Sequence, residues 1–109
     1  MRGIIYGKTA KSAEVKLQQI INDYEFYKIA TVEKRDFSLN NVLFSNGDYW
    51  RALGPANISN TCGNRANVVY IDASITDEEI LLSAQCAACA PPFQAIKYYY
   101  GQEWLKNVE

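Results

Sequence analysis

Histidine is absent from this 109-residue chain, and methionine occurs once. Without an imidazole, a general base near neutral pH would have to be a strongly shifted carboxylate or lysine, which counts against a hydrolase. Cysteine is scarce and odd in number: Cys62, Cys86 and Cys89 read as reduced thiols of a cytosolic protein, not as a disulfide framework. No apolar run approaches the roughly 20 residues of a membrane span, and no secretory signal opens the sequence. Excess charge is missing too. A net charge of −1 gives no global field toward nucleic acid or a membrane surface, so any basic site must be local. What is present is ordinary for one globular domain over residues 1–109, except for eight tyrosines and two tryptophans.

Gly3–Tyr6 reads as a short strand, and Thr9 or Ser12 can cap a following helix that runs to about Tyr24. Ala13, Leu17, Ile20, Ile21 and Tyr24 give that helix one apolar face. Residues 26–33 are rich in strand formers, which predicts a strand. Asn46-Gly47 predicts a two-residue type I′ hairpin in which Phe44 pairs with Tyr49, Leu43 with Trp50 and Val42 with Arg51. Val42, Phe44, Tyr49 and Arg51 would then share one face, with Leu43 and Trp50 on the other. Residues 55–66 read as a loop and Asn67–Asp72 as a central strand. Thr76 to Glu79 forms a capping-box pattern, with Ile75 and Ile80 as a hydrophobic staple. The helix it starts must end before Pro91-Pro92. Ile96–Tyr100 is a last strand, and residues 102–106 a terminal turn. The expected fold is α+β: a mainly antiparallel sheet with two helices on one side, in the order β-α-β-β-β-β-α-β.

Several motifs carry possible chemistry. Gly3-Ile-Ile-Tyr-Gly7-Lys8-Thr9 resembles a phosphate-binding loop that is one residue short between its glycines. The helix behind it still offers its positive end to an anion. The plain alternative is a strand-to-helix turn with an exposed lysine. Cys86-Ala-Ala-Cys89 has metal-ligand spacing, but with Cys62 it supplies only three thiolates, so small buried residues are the expectation and no metal or cofactor is implied. Lys97-Tyr98-Tyr99-Tyr100 sets a cation beside rings that would either stack on a base or form a core edge or an oligomer interface. Arg51 and Arg65 are candidates for a bidentate fork on phosphate.

Residues 3–74 together resemble the ATPase core of phage terminase large subunits. The likeness lies in the hairpin around Asn46-Gly47, the loop bearing Gly63 and Arg65, and the strand Val68–Asp72. In that family the terminal Asp holds Mg²⁺ and the next Glu orients water; here Ala73 stands in place of the Glu. The resemblance thus implies nucleotide handling without turnover, and no enzyme.

In size, element order and aromatic-plus-arginine content the chain also resembles the phage anti-Thoeris family that sequesters a defence signal. That resemblance implies a non-catalytic protein of the infected host's cytoplasm. It would hold a cyclic ADP-ribose-type molecule, in pockets often shared within a homo-oligomer, and release it unchanged. Arg51 and Arg65 would clamp phosphates, and Trp50, Phe93 or Tyr98 would stack on adenine. Lys8, Thr9 and Lys97 complete the expected ligand set. Membrane is not an expected partner, nor is nucleic acid favoured. The alternative is a non-catalytic terminase-like protein that binds a host or phage protein, as inhibitor or decoy, or DNA.

Overall fold

The computed structural model describes residues 1–54, 66–87 and 95–99. The elements follow in the expected order: β1 (Arg2–Tyr6), α1 (Ala10–Phe26), β2 (Val32–Asp36), β3 (Asn41–Phe44), β4 (Tyr49–Leu53), β5 (Val68–Asp72), α2 (Glu78–Ala87) and β6 (Ala95–Tyr99). The fold is α+β with a six-stranded mixed sheet in the order β2-β3-β4-β1-β5-β6. The antiparallel part is the β2-β3-β4 meander, whereas β4, β1, β5 and β6 run parallel.

The two helices lie on opposite faces of the sheet, not on one side. Ile5, Trp50 and Ala52 join Ala13, Leu17, Ile20 and Tyr24 of α1 in one core. Ile4, Tyr6, Val69 and Ile71 join Ala84 of α2 in the other. Connection handedness explains the arrangement. From β1 the chain crosses over α1 toward β4, and from β5 it crosses over α2 toward β6, in opposite directions along the sheet. Right-handed crossovers moving in opposite directions place their helices on opposite faces. The apolar residues of β1 alternate onto both faces, so each face needs its own cover.

Two boundaries differ from expectation, and each has a local cause. α1 runs on to Phe26 and closes in a Schellman motif, where Ile29 N–H donates to Tyr24 O at 2.9 Å and Lys28 N–H to Glu25 O at 3.2 Å. Lys28 occupies the left-handed position at φ 54°, where glycine is usual, so the stop carried no sequence signal. Strand β2 therefore begins only at Val32. At the second helix the cap is Asp77, whose Oδ1 accepts the Glu79 N–H at 2.9 Å, and not Thr76. Ile75 and Ile80 do pack into the same core.

The hairpin register is shifted by one. Val42 pairs with Trp50 and Leu43 with Tyr49, because the loop contains three residues, Ser45 to Gly47. Gly47 alone in the loop takes positive φ, at 90°, and its N–H donates to Phe44 O at 3.0 Å. Asn46 instead accepts the Asp48 N–H at 3.0 Å through Oδ1, an Asx turn that suits the three-residue loop with glycine at its left-handed position. A shift of one residue reverses a strand's faces. Trp50 thereby joins Val42 and Phe44 under α1, while Arg51 turns to the α2 side. Gly47→Ala meets no atom within 4 Å, so its cost is conformational alone. A chemical denaturation curve is expected to show a loss of about 1–2 kcal/mol.

Candidate functional site

The sheet order reverses between β1 and β5, and the crevice beyond the carboxyl ends of those strands is where open parallel sheets take ligands. β1 ends at Tyr6, and Gly7-Lys8-Thr9 turns directly into α1. A Cβ on Gly7 would lie 2.6 Å from Thr9 O and from Ala13 N, so only glycine lets the turn close this tightly onto the helix. Thr9 is the N-cap; its Oγ1 accepts the Ser12 N–H at 3.0 Å. The amides of Ala10 and Lys11, in the first helical turn, have no intrahelical acceptor. Lys8, Thr9 and Lys11 are exposed at the rim.

Asp72 ends β5 at the back of the crevice and is 1% exposed. Its Oδ2 accepts from Ser12 Oγ at 2.5 Å and the Lys8 N–H at 3.4 Å, and its Oδ1 accepts the Ser74 N–H at 3.0 Å and Oγ–H at 2.6 Å. Burial pushes the carboxyl up, but the hydroxyls of Ser12 and Ser74 and the Ser74 and Lys8 amides outweigh it, so its pKa lies below the ordinary value. The carboxylate is thus charged and already satisfied by four donated hydrogen bonds. Tyr99 closes the far side, with its hydroxyl 3.3 Å from Ser12 Oγ and 3.4 Å from Tyr6 O. Burial first, and then the charge of Asp72, raise Tyr99 to about 12 against the opposing Ser12 bond.

The residues expected to bind ligand do not form one cluster. Lys8 and Thr9 stand at the crevice. Trp50 is 4% exposed beneath α1, where its face packs in the core and cannot carry an adenine. Arg51 lies on the α2 face, level with Ile4 of β1, and its buried Nε has no hydrogen-bond partner among the described residues. Tyr98 is 63% exposed on β6, opposite Ile71. Lys97 points to the α1 face with Tyr99, as strand alternation predicts. Arg65, Phe93, the Cys62 and Cys89 ligand candidates and the terminal turn lie outside the described residues. Sequence reasoning weighed Ser12 only as a cap, and it missed Ser74. The available signal was a hydroxyl one helical turn beyond the Gly-Lys-Thr turn, and a serine two residues after a strand-ending aspartate.

No protein-family model matches the chain, and no curated protein matches it either. Among solved structures, the large terminase of a thermophilic bacteriophage is similar in fold. It has a TM-score of 0.69 at 13% identity, over 99% of this chain and 29% of the terminase chain. The chain therefore spans less than a third of that terminase's length. Among the described residues, no helix is long and apolar enough to cross a membrane.

Proposed function

We propose that this chain is a terminase-like, non-catalytic binder of a nucleotide-type ligand, taking its phosphates at the crevice between the β1–α1 turn and the end of β5. The observation that carries the reading is the state of Asp72. Its carboxylate receives Ser12, Ser74 and the Lys8 amide, and the next residue is Ala73, so no neighbouring carboxylate in the strand end is positioned to orient water. Lys8 and the first-turn amides offer positive charge to an anion, and the Asp72 carboxylate beside them is already held by four donors. Sequestration of a cyclic ADP-ribose-type defence signal by a phage protein in the host cytoplasm is the biological form this reading takes. A homo-oligomer would let neighbouring copies contribute to the pocket.

The test is native mass spectrometry of the full chain after incubation with ATP–Mg²⁺, ADP-ribose, cyclic ADP-ribose isomers and cyclic dinucleotides. The expected result is one retained nucleotide, recovered chemically intact after heat release. Lys8→Ala should weaken its binding by about 1.5–3 kcal/mol if the ammonium makes a charge-assisted contact. Recovery of a hydrolysed product would overturn the reading. An empty spectrum with every compound would turn attention to a protein or DNA partner.

A further inference from the structure

A second cluster sits near the other end of α1. From the Thr9 cap to Asp23 the helix rises about 20 Å, at 1.5 Å per residue, so the cleft at Asp23 lies well away from Thr9, although Tyr99 borders both regions. A cleft of about 230 Å³ opens there, lined by Ile20, Asp23 and Tyr24 of α1, Trp50, Val68 and Tyr70 of the sheet, and Lys97. Its floor is preorganised. Trp50 Nε1–H donates to Tyr24 Oη at 3.2 Å, and the Tyr24 hydroxyl donates to Asp48 at 2.6 Å. The Trp50 and Tyr70 rings lie 5.7 Å apart, tilted by 42°.

Two cations converge on this floor. Lys16 Nζ stands 4.6 Å from the centroid of Tyr70 and 5.6 Å from that of Tyr99, and Lys97 Nζ stands 5.8 Å from the same Tyr70 ring. Lys16 bonds the neutral Gln19 Oε1 at 3.1 Å. Among the described residues the ion pair within 4.0 Å is Met1 amine to Asp48, so neither lysine is paired with a carboxylate. Burial first, and then the positive Lys97, lower the pKa of Lys16 against the opposing pull of Asp23. Two ammoniums that repel over one ring, without an ion-pair partner, favour an arriving anion.

We propose that this cleft, lined by Tyr70 and Lys97 over the buried Trp50 and with Lys16 beside the same Tyr70 ring, binds a small planar anion: one aromatic ring bearing a single carboxylate or phosphate. The partly buried Tyr70 ring with Ile20 and Val68 takes the ligand's ring, over the buried Trp50, and the lysines take the charge. Asp23 on the helix wall opposes dense negative charge, which disfavours polyphosphates. The volume lies below the roughly 300–1,000 Å³ of sites for drug-sized ligands, so a dinucleotide does not fit.

The experiment is an amide NMR titration of the full chain with benzoate, phenyl phosphate, inorganic phosphate and benzyl alcohol. The expected result is saturable shifts at Asp23, Val68, Tyr70 and Lys97 with benzoate or phenyl phosphate. Which of the two binds tighter identifies the preferred acid. The neutral ring and the ringless phosphate should bind at least about tenfold more weakly, because each lacks half of the recognition. Lys97→Gln at the cleft and Lys16→Gln beside Tyr70 are conservative changes; with the thermal midpoint retained, each should weaken the ring-bearing anion about tenfold. Equal binding of benzyl alcohol, or no saturable shift at millimolar anion, would overturn the proposal. So would variants that fold and bind as the parent does. Phosphate-induced shifts at Lys8 to Ser12 would report on the crevice instead, and benzoate carries no phosphate, so the residues that shift keep the nucleotide reading and this proposal distinguishable.

Discussion

Replacing Trp50 with alanine is expected to lower the unfolding free energy by about 3–5 kcal/mol, measured as a shift of the urea midpoint. The indole is buried in the α1 core, and a Cβ on Gly3 of the neighbouring strand would overlap its six-membered ring. Shape complementarity this tight leaves a cavity that the strand pair cannot close. Polar losses add to it. The Trp50 N–H bonds Tyr24, whose hydroxyl bonds Asp48, which in turn holds the Met1 amine at 3.0 Å. Tyr24 also stacks on Phe44 with centroids 3.9 Å apart, so the ring that anchors the indole is itself packed. Burial, more than the hydrogen bond to Asp48, pushes the Tyr24 phenol up to about 12. Trp50→Phe retains most of the apolar volume and loses the N–H donor, so its cost should be smaller, about 1–2 kcal/mol. A Trp50→Ala protein with parental stability but abolished nucleotide binding would reverse this assignment and restore the residue as a stacking platform.

Asp72→Ala is the second large effect, with an expected loss of about 3 kcal/mol at neutral pH. The substitution leaves the Ser12 hydroxyl and the Lys8 and Ser74 amides without their shared acceptor at a nearly buried position. Asp72→Asn keeps the shape and isolates the charge. Because the folded carboxyl titrates below its unfolded value of about 3.9, its stabilisation is complete above that value and is lost as pH falls through the folded one. The stability–pH profile of Asp72→Asn should therefore fall less steeply below about pH 4 than that of the parent. It should not become flat. Asp48 is also held below its ordinary range: burial pushes it up, but Tyr24, the N-terminal amine and Asn46 pull it further down. An acid limb unchanged by Asp72→Asn would show that the Ser12–Asp72–Ser74 network contributes no charge-dependent stability.

Much of the architecture was legible without coordinates. Periodicity from Ala13 to Tyr24 located α1 and its buried face, the apolar run ending at Asp72 located β5, and Ile75 with Ile80 located the start of α2. These are local signals, since each depends on residues within a turn or a strand of one another. The order of elements followed from them. The Gly-Lys-Thr turn and the strand-ending aspartate were each visible as motifs, but their meeting was not.

Tertiary structure decided the rest. No sequence signal stated that β1 would lie between β4 and β5 in a parallel array, because parallel pairing depends on contacts far apart in the chain. That pairing sends the two crossovers in opposite directions, splits the helices between two faces, and creates the crevice at Asp72. The hairpin register turned on an Asx turn at Asn46 and on the burial of Trp50, and the shift of one residue moved Arg51 to the face opposite Trp50. The approach of Lys16 and Lys97 to Tyr70 joins residues from a helix and two strands, and it exists only once α1 has docked on the sheet. Local propensity determined which segments form; which side chains meet was determined by how the burial of both sheet faces and the handedness of the crossovers were satisfied together.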